Sequence, residues 1–313
     1  MRRDALPEWQ RACERQKDVM RRLVIAALAL AGLAAGTLVI GRTAPTDDEQ
    51  AAKEADRAFV ANLGKGDQKA VGGALDRRFA WTDVEGLTRN RRDTIKDFSA
   101  LAAANQGDSD VQTHFYGRMF TVRGAHNNAR FLRVFVKRRH GWKAFALMET
   151  PTAAGGAPAS VEQAAGAGDC DNPCRTVPYT PKTPMAKDIL AAWQKTKMLE
   201  WKPDAAQWAS FIADEFMIIN NTTIRNKEQR VSIAKRQQDA GTGAPGDPVV
   251  SMRIYDFGTN SAFMTSQHTP YRGGKPYTNV RIWVLRDNRW QLALSQQVAM
   301  QSAAPVPAVA SKQ

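Results

Sequence analysis

Asp83, Glu149 and Tyr116 are the side chains of the first half whose chemistry could move a proton. A proton-transfer site needs a carboxylate base beside an apolar pocket, with a Tyr or protonated acid to donate to the developing oxyanion. The second half offers Tyr255, Asp256 and His268 for comparable work. The plainer reading makes Asp83 the start of a surface turn in DVEG and Glu149 the exit of a last strand. The four histidines, His114, His126, His140 and His268, never take H-x-H, H-x3-H or H-E-x-x-H spacing, so no metal site is expected. His126 in GAHNNA and His140 in RRHGW read as hairpin-turn residues, while His114 and His268 could line a cavity. Phosphate-loop, dinucleotide and seryl-nucleophile motifs are missing, and no cofactor is expected.

Trp142 and Trp290 each precede alternating apolar positions, so they close a hairpin core or offer a platform on which a ligand stacks. With Tyr255 and His268 they are the candidate ligand contacts. Arg133 and Arg281 fall within apolar strands, on the face of Phe135 and Trp283 by period two. Each must reach solvent on an outer face or a carboxylate inside, and the choice is open. Cys170 and Cys174, in the turn-rich GDCDNPCRT, are expected to pair; free thiols are the alternative, because one C-x3-C lacks the ligands of a structural zinc site.

The elements that position these residues follow one apolar segment, Leu23 to Ile40, of 18 residues without a charge. As a helix it spans about 27 Å against a hydrocarbon layer of about 30 Å. Arg21 and Arg22 precede it and Asp47, Asp48 and Glu49 follow, which places the bulk of the chain outside the cytoplasm. Residues 23–41 therefore read as a transmembrane anchor or a cleaved signal peptide. The expected location is the inner membrane with periplasmic domains, or the periplasm or exterior if cleavage occurs. Residues 1–22 read as a cytoplasmic tail, or Met20 is the true start. The net charge is +13, of which +9 remains beyond residue 44; the basic residues are scattered, and no nucleic-acid partner is expected.

Hydrophobic residues make up 43% of the 313, with eight Trp and twelve Phe, enough for about two cores. Residues 151–184 are rich in Ala, Gly and Pro and read as a flexible linker, and 302–313 as a disordered tail. Between them stand blocks 46–150 and 185–301, and these repeat each other. RVFVKRRHGWKAFALMET from Arg133 aligns without gaps on RIWVLRDNRWQLALSQQV from Arg281. GDQKAVGGALDRRFAWTD from Gly66 aligns on PDAAQWASFIADEFMIIN from Pro203, and TRNRRDTI meets IRNKEQRV. The spacing from the middle strands to the shared Arg is shorter in the first block, as though it lacked most of a hairpin.

In each block helices precede alternating strands that end in a hairpin with a charged turn. This order, carried by the GD or PD helix start, the ADEF strand entry, the RN-[KR] stretch and the two terminal hairpins, resembles the nuclear transport factor 2-like superfamily. The likeness is to its ketosteroid-isomerase-like and polyketide-cyclase (SnoaL-like) branch. It implies an α+β protein of two tandem cones, each with helices packed on a strongly curved antiparallel sheet, and an apolar pocket in each.

The expected function is ligand or partner binding: a small apolar ligand, a homodimer partner or an envelope protein. An isomerase or cyclase-like enzyme using block one is the alternative, because Asn220 and Gln297 replace Asp83 and Glu149 in block two. An envelope assembly scaffold is the third reading.

Overall fold

Each half begins with a helix capped by threonine. In the computed structural model the Thr46 side chain accepts from Glu49 N to start α1 (Asp47–Gly64), and three acids in its first turn suit the helix dipole. Thr183 and the N1 proline start α5 (Pro184–Trp201) in the same way. Asp67 and Asp204 then cap α2 (Gln68–Ala74) and α6 (Ala205–Ala209), accepting from Ala70 N and Gln207 N. Asn90 and Asn226 of the RN stretches cap α3 (Arg91–Lys96) and α7 (Lys227–Asp239). A further helix, α4 (Phe98–Ala104), belongs to the first half.

The structure describes residues 46–152 and 170–304 except Pro245, Thr259, Tyr271 and Arg272. Segment Leu23 to Ile40, residues 153–169 and the tail from 305 lie outside these. Among the described residues no helix is long and apolar enough to cross a membrane.

Two six-stranded sheets carry the halves, in the orders β2-β1-β6-β5-β4-β3 and β8-β7-β12-β11-β10-β9. Their strands match in length, one for one. β1 (Leu75–Thr82) corresponds to β7 (Ile212–Ile219), and β2 (Thr88–Asn90) to β8 (Ile224–Asn226). β3 (Ser109–Tyr116) and β4 (Met119–His126) correspond to β9 (Val249–Asp256) and β10 (Ser261–His268). β5 (Ala129–Arg138) and β6 (Gly141–Pro151) correspond to β11 (Tyr277–Arg286) and β12 (Arg289–Ala299). The first half therefore lacks no hairpin. Its shorter spacing comes mainly from the turn between its middle strands, residues 127–128 against 269–276.

Register shifts recur at Val134/Phe135 and Ile282/Trp283, where β5 and β11 meet β6 and β12. Such bulges bend a sheet and raise its twist, which gives each half its concave face. Helices cover that face through two separate clusters, one with Phe59, Leu63, Phe131 and Phe135, the other with Trp193, Trp208, Phe216 and Trp283.

The opposite faces of the two sheets pack on each other. A third cluster joins Met119, Leu132, Val134 and Phe145 of the first half to Phe263, Val280, Ile282 and Leu294 of the second. Phe145 meets Tyr255, Phe257 and Phe263 edge-on at 4.8 to 5.3 Å. Polar contacts fix the register: Thr150 Oγ1 donates to Gln297 O (3.0 Å), Gln296 Nε2 donates to Thr150 Oγ1 (3.1 Å), and Ser261 Oγ donates to Tyr116 O (3.1 Å).

Independent halves on a loose tether do not fit this shared core. The last part of the expected linker is also fastened: Cys170 and Cys174 are disulfide-bonded and buried, and the Asn172 side chain exchanges two hydrogen bonds with the Val249 backbone. Cutting the chain at a protease site engineered near residue 160 should leave the halves associated, unfolding in one transition. Phe145→Ala should lower the stability of that single transition by about 3 to 5 kcal/mol. Two separate calorimetric transitions after cutting, with only one moved by the substitution, would contradict a common core.

Candidate functional site

Arg133 of β5 is 2% exposed and Arg281 of β11 is 4% exposed, so neither reaches solvent. Both point to the helix-covered side, as their period-two partners Phe135 and Trp283 do. A buried guanidinium needs negative charge or strong acceptors, and the two cones supply different things.

In the first cone the neutralising groups belong to the chain. Arg133 Nε donates to Asp56 Oδ1 of α1 at 2.7 Å, and its Nη2 donates to Asp108 Oδ2 at 2.6 Å. Asp108 also faces His126 Nδ1 at 3.4 Å, and His126 Nε2 lies 2.9 Å from Glu149 Oε1. The other Glu149 oxygen accepts from Trp81 Nε1 at 2.6 Å. Phe131 stacks on the His126 ring at 4.7 Å and lies under the Arg133 guanidinium at 4.2 Å.

Burial is the largest effect on His126 and lowers it. The hydrogen bonds and charges of Asp108 and Glu149 together reverse this and hold the imidazole above its ordinary value. Both ring nitrogens then donate. Burial also pushes up on Asp108, yet the bonds from His126 and Arg133 keep its carboxyl below the usual range. At Asp56 burial wins over Arg133, and the carboxyl sits above its usual range.

The second cone keeps the arginine and the histidine but changes what surrounds them. In the matched helices Trp193 stands where Asp56 does, and the Arg281 guanidinium lies 5.5 Å from its ring centroid. Arg281 Nη1 donates to Ser266 Oγ at 2.7 Å, and no carboxylate of the described residues forms an ion pair with it. Burial lowers it to about 10, with Tyr277 and Glu200 acting against the drop. His268, at the position of His126, falls well below its ordinary value through burial and the charge of Arg281, so the ring is neutral. Its Nδ1 faces the Asp247 carbonyl (3.0 Å), which can only accept, so Nδ1 carries the proton and Nε2 accepts from Ser266 Oγ (2.8 Å).

Beside Arg281 lies a cavity of about 80 Å3. Arg230, Lys197 and Glu200 line it, with Asn279, Ser295 and Gln297 on the sheet side. Glu200 lies 2.7 Å from Lys197 Nζ and 3.7 Å from Arg230 Nη2. Burial acts to raise Glu200, but these cations hold it below its ordinary value. The matched positions of the first cone explain why space opens in one half. Phe59, Leu63, Phe131 and Leu147 occupy the places of Thr196, Glu200, Asn279 and Ser295, and all four are buried and packed together.

The candidate proton-transfer residues do not converge. Glu149 faces the inside of the first cone, where Trp81 and His126 engage both oxygens. Asp83 is a turn residue: it accepts from Glu85 N and Leu87 N (3.0 Å each) and pairs with Arg89 at 2.6 Å. That turn abuts the second half. Gln301 N donates to Glu85 O, and a Cβ on Gly86, at φ +77°, would come within 2.6 Å of Ala299 O. Asn220 caps the equivalent turn through Thr222 N and Thr223 N. Tyr116 lies in the core between the sheets; burial, then the charge and hydrogen bond of Glu215, push its phenol up.

Among the candidate ligand contacts, Tyr255 packs against that inter-sheet core, while Trp142 and Trp290 are core residues of the first and second cones. His268 is linked to Arg281 by two hydrogen bonds, through Ser266. His126, expected as a hairpin-turn residue, is the last residue of β4 and a buried member of the network. Sequence reasoning missed Trp193, Glu200, Trp208 and Arg230. The repeat alignment held a usable signal, because extending it back from Asp67 and Asp204 sets Asp56 against Trp193. Among the described residues no group of three His, Cys, Asp or Glu is placed to hold a metal ion.

Arg133→Met strands Asp56 and Asp108 inside the first cone and should lower stability by about 3 to 5 kcal/mol in urea unfolding. Arg281→Met strands no carboxylate, so its midpoint should hold or rise; a fall as deep as that of R133M would make Arg281 a structural ion. The raised His126 value sets a pH dependence. Stability from its imidazolium is complete below the unfolded value of about 6.5 and is lost as pH rises through the folded value. Glu149→Gln should lower the His126 pKa in an NMR ring titration and flatten that loss, and an unchanged titration would rule out the Glu149 contribution.

No family model matches the chain, and no curated protein matches it. Among solved structures, an NTF2-like protein from Cytophaga hutchinsonii is 16% identical over 34% of this chain and 99% of its own, with a TM-score of 0.30. An NTF2-like protein with a cystatin-like fold from Novosphingobium aromaticivorans is 15% identical over 33% of this chain and 81% of its own, with a TM-score of 0.29. A candidate ketosteroid isomerase from Shewanella frigidimarina is 17% identical over 32% of this chain and 94% of its own, with a TM-score of 0.28. The fold described above is α+β, two curved six-stranded sheets in tandem, and the proteins it resembles are NTF2-like chains about as long as one of its halves.

Proposed function

We propose that this is a ligand-binding protein in which the second cone takes a small polar molecule and the first cone is a closed scaffold. One observation carries the reading: at matched positions the first cone is filled by Phe59, Leu63, Phe131 and Leu147, while Thr196, Glu200, Asn279 and Ser295 leave a cavity in the second. The expected apolar lining is replaced by a mixed one, so a polar ligand fits it better. The catalytic alternative in block one loses its support, because Asp83 and Tyr116 lie away from Glu149 and both Glu149 oxygens are engaged.

The proposal keeps the chain exported, anchored or released at Leu23 to Ile40. The Cys170–Cys174 bond supports an oxidising compartment.

Filling the second cone with the residues of the first tests the reading. A thermal-shift panel of small alcohols, amides, amines and carboxylates should contain compounds that stabilise the wild-type protein. Those shifts should disappear in Asn279→Phe/Ser295→Leu, whose circular dichroism should be unchanged. Shifts that survive the double substitution, or a panel with none, would end the proposal.

A further inference from the structure

We infer that the second-cone cavity holds a short-chain carboxylate, its oxygens taken by Arg281 and the neighbouring N–H groups; this rests on the ligand-binding reading above. The first support is a surplus of donors. Trp193 Nε1, Trp208 Nε1 and Arg230 Nε are buried without a hydrogen-bond partner, all three belong to residues lining the cavity, and none can accept. Arg281 adds a guanidinium with one hydrogen bond, to Ser266. Two acceptors beside them already take a hydrogen bond: Glu200 Oε2 from Lys197 Nζ, and Gln297 Oε1 from Asn279 Nδ2. Three unpaired donors around one cavity call for acceptors there, which a bound molecule can supply.

Charge points the same way. Lys197, Arg230 and Arg281 line the cavity with one carboxylate, Glu200, which leaves positive charge uncompensated. The repeat supplies an internal precedent. In the first cone the equivalent arginine holds Asp56 and Asp108, and in the second Trp193 occupies the place of Asp56. The carboxylate that one half carries in its sequence is the group that the other half leaves to a ligand, and a planar guanidinium is well shaped to bind it.

Size and walls narrow the class. A cavity of about 80 Å3 compares with roughly 10 to 15 Å3 for one water-sized occupant, so it suits about five to eight non-hydrogen atoms. Trp193, Ile212, Phe216 and Leu292 give it apolar walls, which favour an aliphatic chain over an inorganic oxyanion.

Calorimetric titration of the full chain with butyrate, succinate, inorganic phosphate and neutral butyramide tests this. We expect at least one carboxylate to bind, with butyramide about tenfold weaker or more. Arg281→Met should weaken the carboxylate by about tenfold to a hundredfold, and Arg281→Lys by less. Should R281M fail to fold, Trp193→Phe keeps the ring, removes one donor and should still weaken the carboxylate more than the amide. Amide and carboxylate binding equally, both lost in N279F/S295L, would overturn the carboxylate class and leave the ligand site standing. Binding of phosphate with neither carboxylate would also overturn the class. Binding untouched by N279F/S295L, or no binding by any probe, would sink both readings.

Discussion

A guanidinium shut away from water has to be met by negative charge or by strong acceptors, and much of this molecule is arranged around two of them. Arg133 and Arg281 occupy matched places on β5 and β11, each under the long first helix of its half. In the first cone the demand is met by Asp56 from the helix and Asp108 from the entry to β3, which also orders His126 and, through it, Glu149. The polar chain reaches from α1 across the sheet to Trp81. In the second cone the same position keeps its charge with an aromatic ring beneath it and a hydroxyl at one end. One arginine ties a scaffold together, and the other remains available.

The second organising feature is the packing of the two sheets. Their outer faces share one core, bridged by Phe145 and by the Thr150 and Gln296 side chains. With those faces buried against each other, the concave side of each sheet faces its helices, where the arginines sit. It also accounts for residues that looked chemical from sequence. Asp83 shapes the turn whose Gly86 abuts the end of β12, and Tyr116 closes the seam between the sheets.

Much of the architecture was legible because the repeat was. Asp67, Asp204, Asn90 and Asn226 cap helices where their neighbours require it. The paired terminal hairpins match residue for residue. What could not be read was which face of a strand looks inward. Period two separates inside from outside only when one face meets water, and β5 and β11 are buried on both faces. Arg133 and Arg281 could therefore not be placed by alternation. The cavity was hidden for a related reason: it depends on the sizes of four side chains from three different elements, and no single stretch of sequence contains that sum.

Sheet-to-sheet packing inside one chain also releases the pair from symmetry. Two identical cones associating in this manner would form an isologous pair, in which every substitution appears twice and both pockets open or close together. Joined in a single polypeptide, the partners meet at a concentration set by the connection rather than by expression. Each can then change alone, which is how one half can fill with phenylalanine and leucine while the other stays hollow. Among the described residues the hollow beside Arg281 has no counterpart beside Arg133, so its walls can be reshaped without reshaping a twin.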